Sequence, residues 1–257
     1  MLKRLRIAVL LYVLLFVAAS EYFTARNATD WDTPLWVNIY AVAGDDTPVT
    51  RRFIASLSPT EFADAEEFFA REAKRYGVAL ERPFKLRMAG EYAGDLPQLD
   101  PDAGPLGILA WSLRMRWLAM RLRWQADPSG DIVMLAVFHE PTEGASLDRS
   151  TALDKGLIAI ANLFADRKAR ETNQIVLAHE LLHTLRATDK YSPGSNAPTY
   201  PNGYAAPDAR PLLPQTKAEL MAGRVPLDEH HAEMPRDLDE VVIGALTAAE
   251  IGWQARR

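Results

Sequence analysis

Residues 178–191 read AHELLHTLRATDKY, and they give the strongest indication in the sequence of both local structure and chemistry. His179 and His183 are four residues apart within a segment, residues 172–187, whose pattern is typical of a helix. On a helix this spacing places both side chains on one face, about 6 Å apart along the axis. Two imidazoles so placed can bind one metal ion. Glu180 projects beside that position, where its carboxylate can take a proton from metal-activated water.

The pattern His-Glu-x-x-His is specific enough to indicate a function. With five histidines in 257 residues, it arises by chance in about one such chain in a hundred. The alternative is a pair of histidines bonded to ordinary core partners on an amphipathic helix. The same pattern characterises zinc peptidases. The sequence therefore predicts a zinc endopeptidase that acts on a peptide or protein, with Glu180 as general base. Two alternatives are a non-catalytic, metal-containing peptide-binding protein and a zinc hydrolase of a non-peptide amide.

The longer segment HELLHTLRATD resembles the extended signature of the metzincin zinc peptidases, in which a third metal ligand follows the second histidine by six residues. The resemblance implies that His179, His183 and Asp189 hold zinc and that Glu180 is the general base. Aspartate in the third position is similar to the neutral proteases of the snapalysin type. Metzincins also carry a methionine in a tight turn beneath the metal, and the segment ELMAG makes Met221 the candidate.

Arg186 departs from that signature, which has glycine there. The glycine ends the helix in a left-handed turn, and another residue in that conformation costs about 1 kcal/mol. If Arg186 stays helical, Asp189 lies about 9 Å along the axis from the second histidine and about 120° round it, too far to share the metal. The third ligand would then come from the segment PRDLDEVV, where Glu240 is the first candidate, followed by Asp237 and Asp239.

The remaining candidates are isolated side chains, each with a structural alternative. His230 and His231 could bind metal, but an exposed DEHH turn also accounts for them. His139 ends a predicted strand and is interpreted as structural. Three loop tyrosines could stabilise an oxyanion or simply pack: Tyr191, Tyr200 and Tyr204.

Hydrophobic periodicity predicts a mixed sheet with interspersed helices. Strands are expected at residues 35–42, 83–90, 131–139 and 156–165. Helices are expected at residues 59–76, 105–124, 172–187 and 246–253. The fold class is therefore α/β or α+β. The resemblance implies a metzincin-like zincin domain with a mostly parallel sheet, an active-site helix, a substrate-binding edge strand and an irregular C-terminal subdomain. The proline-rich loop at residues 191–216 is expected to border the substrate pocket.

The helix at 105–124 carries apolar residues on two nearly opposite faces. One stripe consists of Leu106, Leu109, Ala110, Leu113, Trp117, Met120 and Trp124. The other consists of Ile108, Trp111, Met115, Leu118 and Leu122. One stripe must cover the sheet. The other is expected to pack against another part of the chain or against a membrane surface.

Residues 1–28 are predicted to be a membrane anchor or signal segment, and residues 29–257 the metallopeptidase domain. Three basic residues precede an apolar run at 7–20, which is shorter than the about 20 residues of a full membrane span. Apolar character resumes at Tyr22 and Phe23, which favours a transmembrane anchor and a periplasmic or extracellular domain. Secretion after signal cleavage and a buried N-terminal helix are the alternatives.

Composition narrows the classes of partner and ligand. Hydrophobic residues make up 48% of the chain and charged residues 25%, as in ordinary globular proteins. The net charge of −5 gives no electrostatic case for a nucleic-acid partner. Because the chain has no cysteine, its only strong metal ligands are histidines and carboxylates. Oligomeric state is not indicated.

Overall fold

The computed structural model describes residues 29–253, apart from Pro101 and the segments 142–150 and 154–156. Of residues 151–153 it describes the backbone only. Residues 1–28, predicted as an anchor or signal segment, lie outside the described residues.

A five-stranded sheet forms the centre of the described chain. Its strands are β1 (Leu35–Ala43), β2 (Phe84–Glu91), β3 (Ile132–His139), β4 (Thr151–Leu153) and β5 (Ile158–Phe164). Their order across the sheet is β2-β1-β3-β5-β4, and all neighbours are parallel except the β4–β5 pair. The predicted fold class, mixed α/β with a mostly parallel sheet, is confirmed.

Helices cover both faces of this sheet. They are α1 (Pro48–Ala55), α2 (Ala63–Arg75), α3 (Pro105–Gln125), α4 (Arg170–Thr184) and α5 (Ala245–Glu250). In β3, alternate residues contribute to two separate cores, with Met134 in the core shared with α2 and α4 and Leu135 in the core shared with α3. This explains the continuous apolar run of the strand, because both of its faces are buried.

The segment between α4 and α5 contains two short strand pairs. β6 (Ala218–Glu219) pairs in parallel with β9 (Val241–Val242), and β7 (Val225–Pro226) pairs antiparallel with β8 (Ala232–Glu233). The rest of the segment is irregular, as the sequence predicted.

The two apolar stripes of α3 have different surroundings. Trp111, Met115, Leu118 and Leu122 are buried against the sheet. The opposite stripe is exposed: Trp124 is 79% and Leu106 82% accessible. Another part of the chain was expected to pack on this stripe, but no described residues cover it.

The prediction of a membrane anchor is corrected. In the part of the chain that the structure describes, no helix is long and apolar enough to cross a bilayer. The longest of the described helices, α3, has 21 residues, but four of them are arginines, which are costly in a bilayer interior: Arg114, Arg116, Arg121 and Arg123. The transmembrane assignment and the membrane-anchored location are wrong for the described chain.

Candidate metal centre

The first turn of helix α4 is bonded to the sheet, and the histidines lie further along the same helix. The side chain of Asn173 bonds both backbone groups of Phe164 at the end of β5, accepting at 3.0 Å and donating at 2.9 Å. Leu177, Leu181 and Leu182 are fully buried in the core below. His179 and His183 therefore project from the opposite face, where they line a cleft of about 480 Å³.

The two imidazoles are oriented by backbone carbonyl groups. The Nδ1 atom of His179 lies 3.0 Å from the carbonyl oxygen of Leu220, and that of His183 lies 2.8 Å from that of Ala187. With Nδ1–H as the donor, each Nε2 atom carries the free lone pair. The two Nε2 atoms are 3.0 Å apart. The rings thus present two lone pairs to the same point.

Arg186 ends the helix in a left-handed turn. Its φ is 73°, and its N–H donates to the carbonyl of His183 at 3.0 Å. The N–H of Ala187 donates to the carbonyl of Leu182 at 3.1 Å. These two bonds define a Schellman motif, which usually requires glycine at the position of Arg186. The alternative in which Arg186 stays helical is therefore wrong.

The turn brings Asp189 back to the histidines. Its Oδ1 atom lies 3.3 Å from Nε2 of His179 and 3.2 Å from Nε2 of His183. Burial alone would raise the pKa of Asp189, but the imidazoles of His179 and His183, when protonated on Nε2 as well, donate to this carboxylate and hold its pKa far below its usual range. At zinc–ligand distances of about 2.0–2.1 Å, neighbouring atoms of a tetrahedral site lie about 3.3 Å apart. The three atoms match that spacing.

Glu180 lies beside these atoms with a free carboxylate oxygen. Its side chain is buried, and Oε2 has no hydrogen-bond partner among the described residues. Burial raises the pKa of Glu180, although the charges of His179 and His183 oppose the change. The potential ligand atoms of His179, Glu180 and His183 lie within 4.8 Å of one another, so this cluster could hold a metal ion.

Met221 lies in the turn that supports His179. It is fully buried, and its carbonyl accepts a hydrogen bond from the N–H of Lys190 at 2.9 Å. The preceding residue, Leu220, supplies the carbonyl that bonds His179. Glu219 fixes the turn by accepting from Thr247 Oγ1 at 2.6 Å, and its burial raises its pKa.

A second set of contacts fixes the chain around Asp189. Glu250 of α5 accepts from Thr188 N at 3.0 Å and from Thr188 Oγ1 at 2.8 Å. The ammonium of Lys190, 4% exposed, lies 2.7 Å from the same carboxylate. Residues on both sides of Asp189 are thus bonded to one carboxylate, that of Glu250.

The three acids that the sequence left open as an alternative third ligand form other contacts. Glu240 forms an ion pair with Arg236, and Asp239 forms one with Arg71 at 2.9 Å. The carboxylate of Asp237 caps the short turn that contains Asp239. None of these three acids lines the cleft.

The other candidates lie apart from the histidine pair, except for Tyr191. His230 and His231 are exposed in a turn whose backbone N–H groups bond Asp228, as the DEHH alternative predicted. The Nε2 atom of His139 lies 3.1 Å from the Oδ1 atom of Asn162. Two of the three loop tyrosines, Tyr200 and Tyr204, contact each other with ring centres 5.4 Å apart, and only Tyr191 lines the cleft.

Two residues that line the cleft lie outside every segment predicted to form the site: Arg224 and Met234. Tyr191 and Asn196 also line it, and both belong to the loop at 191–216 that was predicted to border the pocket. Arg224 lies three residues after Met221, and this proximity is the only feature of the sequence that could have indicated its place in the cleft.

We expect Arg186→Gly to raise the free energy of unfolding by about 0.5–1 kcal/mol, because glycine adopts the left-handed turn without steric cost. Urea denaturation would measure the change. Asn196→Gly is a matched control, because Asn196 is also left-handed, with φ of 54°, and asparagine tolerates that region. The control should change stability less, and a lower stability of Arg186→Gly would contradict the expectation.

No known protein family matches the sequence, and no curated protein does. Among solved structures, the chain is similar to wild-type OgpA from Akkermansia muciniphila, with 14% identity, a TM-score of 0.42 and 84% of this chain covered. Catalytically inactive OgpA in complex with an O-glycopeptide substrate is similar at 10% identity, with a TM-score of 0.38 and 84% of this chain covered. The aligned region spans 60% of the first structure and 58% of the second.

Proposed function

We propose that this protein is a zinc-dependent endopeptidase of metzincin-like type. One observation supports this most: the Nε2 atoms of His179 and His183 and the Oδ1 atom of Asp189 converge within 3.3 Å of one another in an open cleft. Three such donors plus one open position form the arrangement of a catalytic zinc site. The left-handed turn at Arg186 and the buried Met221 beside the histidines support the metzincin-like assignment.

In this proposal, His179, His183 and Asp189 hold the metal. A bound zinc ion supplies Lewis-acid polarisation of the scissile carbonyl group and makes water more acidic. The carbonyl groups of Leu220 and Ala187 hold the two imidazoles in the tautomer that ligation requires.

Glu180 is the proton carrier of the reaction. Its carboxylate accepts a proton from water as the water oxygen forms a bond to the scissile carbonyl carbon. The same carboxyl group then donates that proton to the amine nitrogen as the C–N bond breaks. Its burial helps here, because burial raises the pKa of the carboxyl group, and a raised pKa suits a group that must first accept and then release a proton.

The substrate is an extended peptide in this proposal. Strand β4 is one of the two edge strands of the described sheet, and it contacts α4, the helix that carries the histidines. A peptide can add to such an edge through its backbone hydrogen bonds. The cleft beside the histidines then receives the residues that flank the scissile bond.

The proposal is tested by measuring zinc content and hydrolysis on the same preparation. We expect about one zinc ion per chain, and cleavage of an unfolded, dye-labelled protein at internal bonds. A chelator should abolish cleavage and added Zn²⁺ should restore it. Zinc without cleavage of the unfolded protein or of a peptide library would favour a non-catalytic binding protein. Cleavage that persists in chelator with no bound metal would contradict a metal-dependent mechanism.

A further inference from the structure

Arg224 lies in the wall of the cleft that contains the candidate metal centre. It follows Gly223, whose φ is 70°, and directly precedes β7. Because Val225 of β7 pairs with Glu233 of β8, the backbone beside Arg224 is fixed by a strand pair. The guanidinium therefore belongs to an ordered wall of the cleft.

The guanidinium of Arg224 is only weakly engaged by the protein. Its Nη1 donates to the carbonyl of Ala232 at 3.3 Å, which is long for such a bond. Among the described residues, no carboxylate forms an ion pair with it. A guanidinium has five N–H donors in a planar fork, so most of its donors are available to a ligand.

The acidic side chains near Arg224 contact other groups, so none of them forms an ion pair with its guanidinium among the described residues. Glu180 and Asp189, the acids that line the cleft, are directed at the histidine pair. On the neighbouring hairpin, Asp228 accepts the backbone N–H groups of His230 and His231. Glu233 lies 3.5 Å from His231 and is 61% exposed. Of the described residues that line the cleft, Arg224 is the one permanent cation.

We propose that Arg224 determines specificity by binding a substrate carboxylate next to the scissile bond, so that the preferred substrates are acidic peptides. The planar fork of arginine matches a carboxylate through two parallel hydrogen bonds. The remaining lining includes Ile175, Val176 and Met234, which suit the methylene groups of a glutamate side chain. This inference rests on the proposed peptidase function and adds a substrate class to it.

The test uses matched peptides that differ only in one residue near the cleaved bond: Glu, Gln or Lys. For the wild-type protein we expect kcat/KM to be about 10- to 100-fold higher with Glu than with Gln at one position, because the bond to a charged group is strong. In Arg224→Gln the ratio should fall towards one, and in Arg224→Glu the Lys peptide should become the better one. Arg224→Lys should keep part of the preference.

A second arm identifies the source of the carboxylate. Peptides with a free C-terminus are compared with their amides, and a preference for the free form that disappears in Arg224→Gln would assign Arg224 to the terminal carboxylate. Equal cleavage of Glu and Gln peptides by the wild type, with no preference for the free form, would overturn the inference. A Glu preference that survives in Arg224→Gln would overturn it too.

Binding separates failure of this inference from failure of the proposed function. The affinities of the same peptides are measured by calorimetry with zinc-loaded Glu180→Gln protein, with and without Arg224→Gln. If no peptide is cleaved by the wild type, the proposed function fails, but a Glu preference that depends on Arg224 still supports the acidic subsite. Equal affinities for Glu and Gln peptides would overturn it. Zinc content and thermal unfolding establish that each variant is folded.

Discussion

Replacing Glu180 with alanine or glutamine is expected to lower kcat for peptide hydrolysis by about 10²- to 10⁴-fold while the protein keeps its zinc. The carboxylate accepts and returns the proton in the proposed mechanism, and neither substitute can do so at neutral pH. Zinc should remain because the three converging donor atoms belong to His179, His183 and Asp189. Glutamine preserves the volume of the buried side chain, so the fold should persist.

Single-turnover cleavage of a fluorogenic peptide and zinc analysis of the same sample measure both halves of this prediction. Glu67→Gln is the matched control, because Glu67 is an exposed acid on α2. It removes the same charge without touching the cleft. Undiminished hydrolysis by Glu180→Gln would contradict the proposed mechanism. Loss of zinc together with activity would instead make Glu180 a ligand.

Removing Asp189 is expected to weaken zinc binding by about 100-fold or more. Zinc sites with four protein ligands provide about 10–16 kcal/mol, so one ligand contributes roughly 3 kcal/mol, which is about two powers of ten. Asp189→Ala also leaves the Nε2 atoms of His179 and His183 without their anionic partner.

A competition titration against a zinc-binding dye measures this affinity. Glu240→Ala is the control, because the sequence left Glu240 open as the third ligand and the structure pairs it with Arg236. We expect the control to bind zinc as the wild type does. If instead Asp189→Ala kept its affinity and Glu240→Ala lost it, the third ligand would be Glu240.

The parts of the fold that the sequence predicted are those with long periodic patterns. The apolar run at 131–139 corresponds closely to β3 (Ile132–His139), because a doubly covered strand has no polar face. Helix α1 was missed because it has only eight residues and two adjacent arginines, although Thr47 and Pro48 carry N-terminal capping signals. The predicted start of the next helix, at residue 59, was early, since residues 59–62 form a turn before Ala63.

The candidate site, too, was predictable from the sequence only in part. The placement of His179 and His183 on one helix face depends on helix geometry alone, so a single sequence suffices to predict it. The backbone at Arg186 could not be predicted, because arginine carries no preference for the left-handed turn that it adopts. The role of Arg224 was also hidden. Its place in the cleft depends on β7 and β8, which are two residues each and leave no periodic signal.

The contacts made by Glu250 and Thr247 have a consequence for synthesis. Thr188 and Glu250 are 62 residues apart in sequence, so the carboxylate that fixes the chain around Asp189 leaves the ribosome long after the histidines. Thr247, which bonds Glu219 beneath the histidine pair, is also made late. A nascent chain would therefore hold the complete His-Glu-x-x-His segment without the contacts that fix the site's geometry. Through these bonds, the proposed peptidase activity would arise only once α5 has docked.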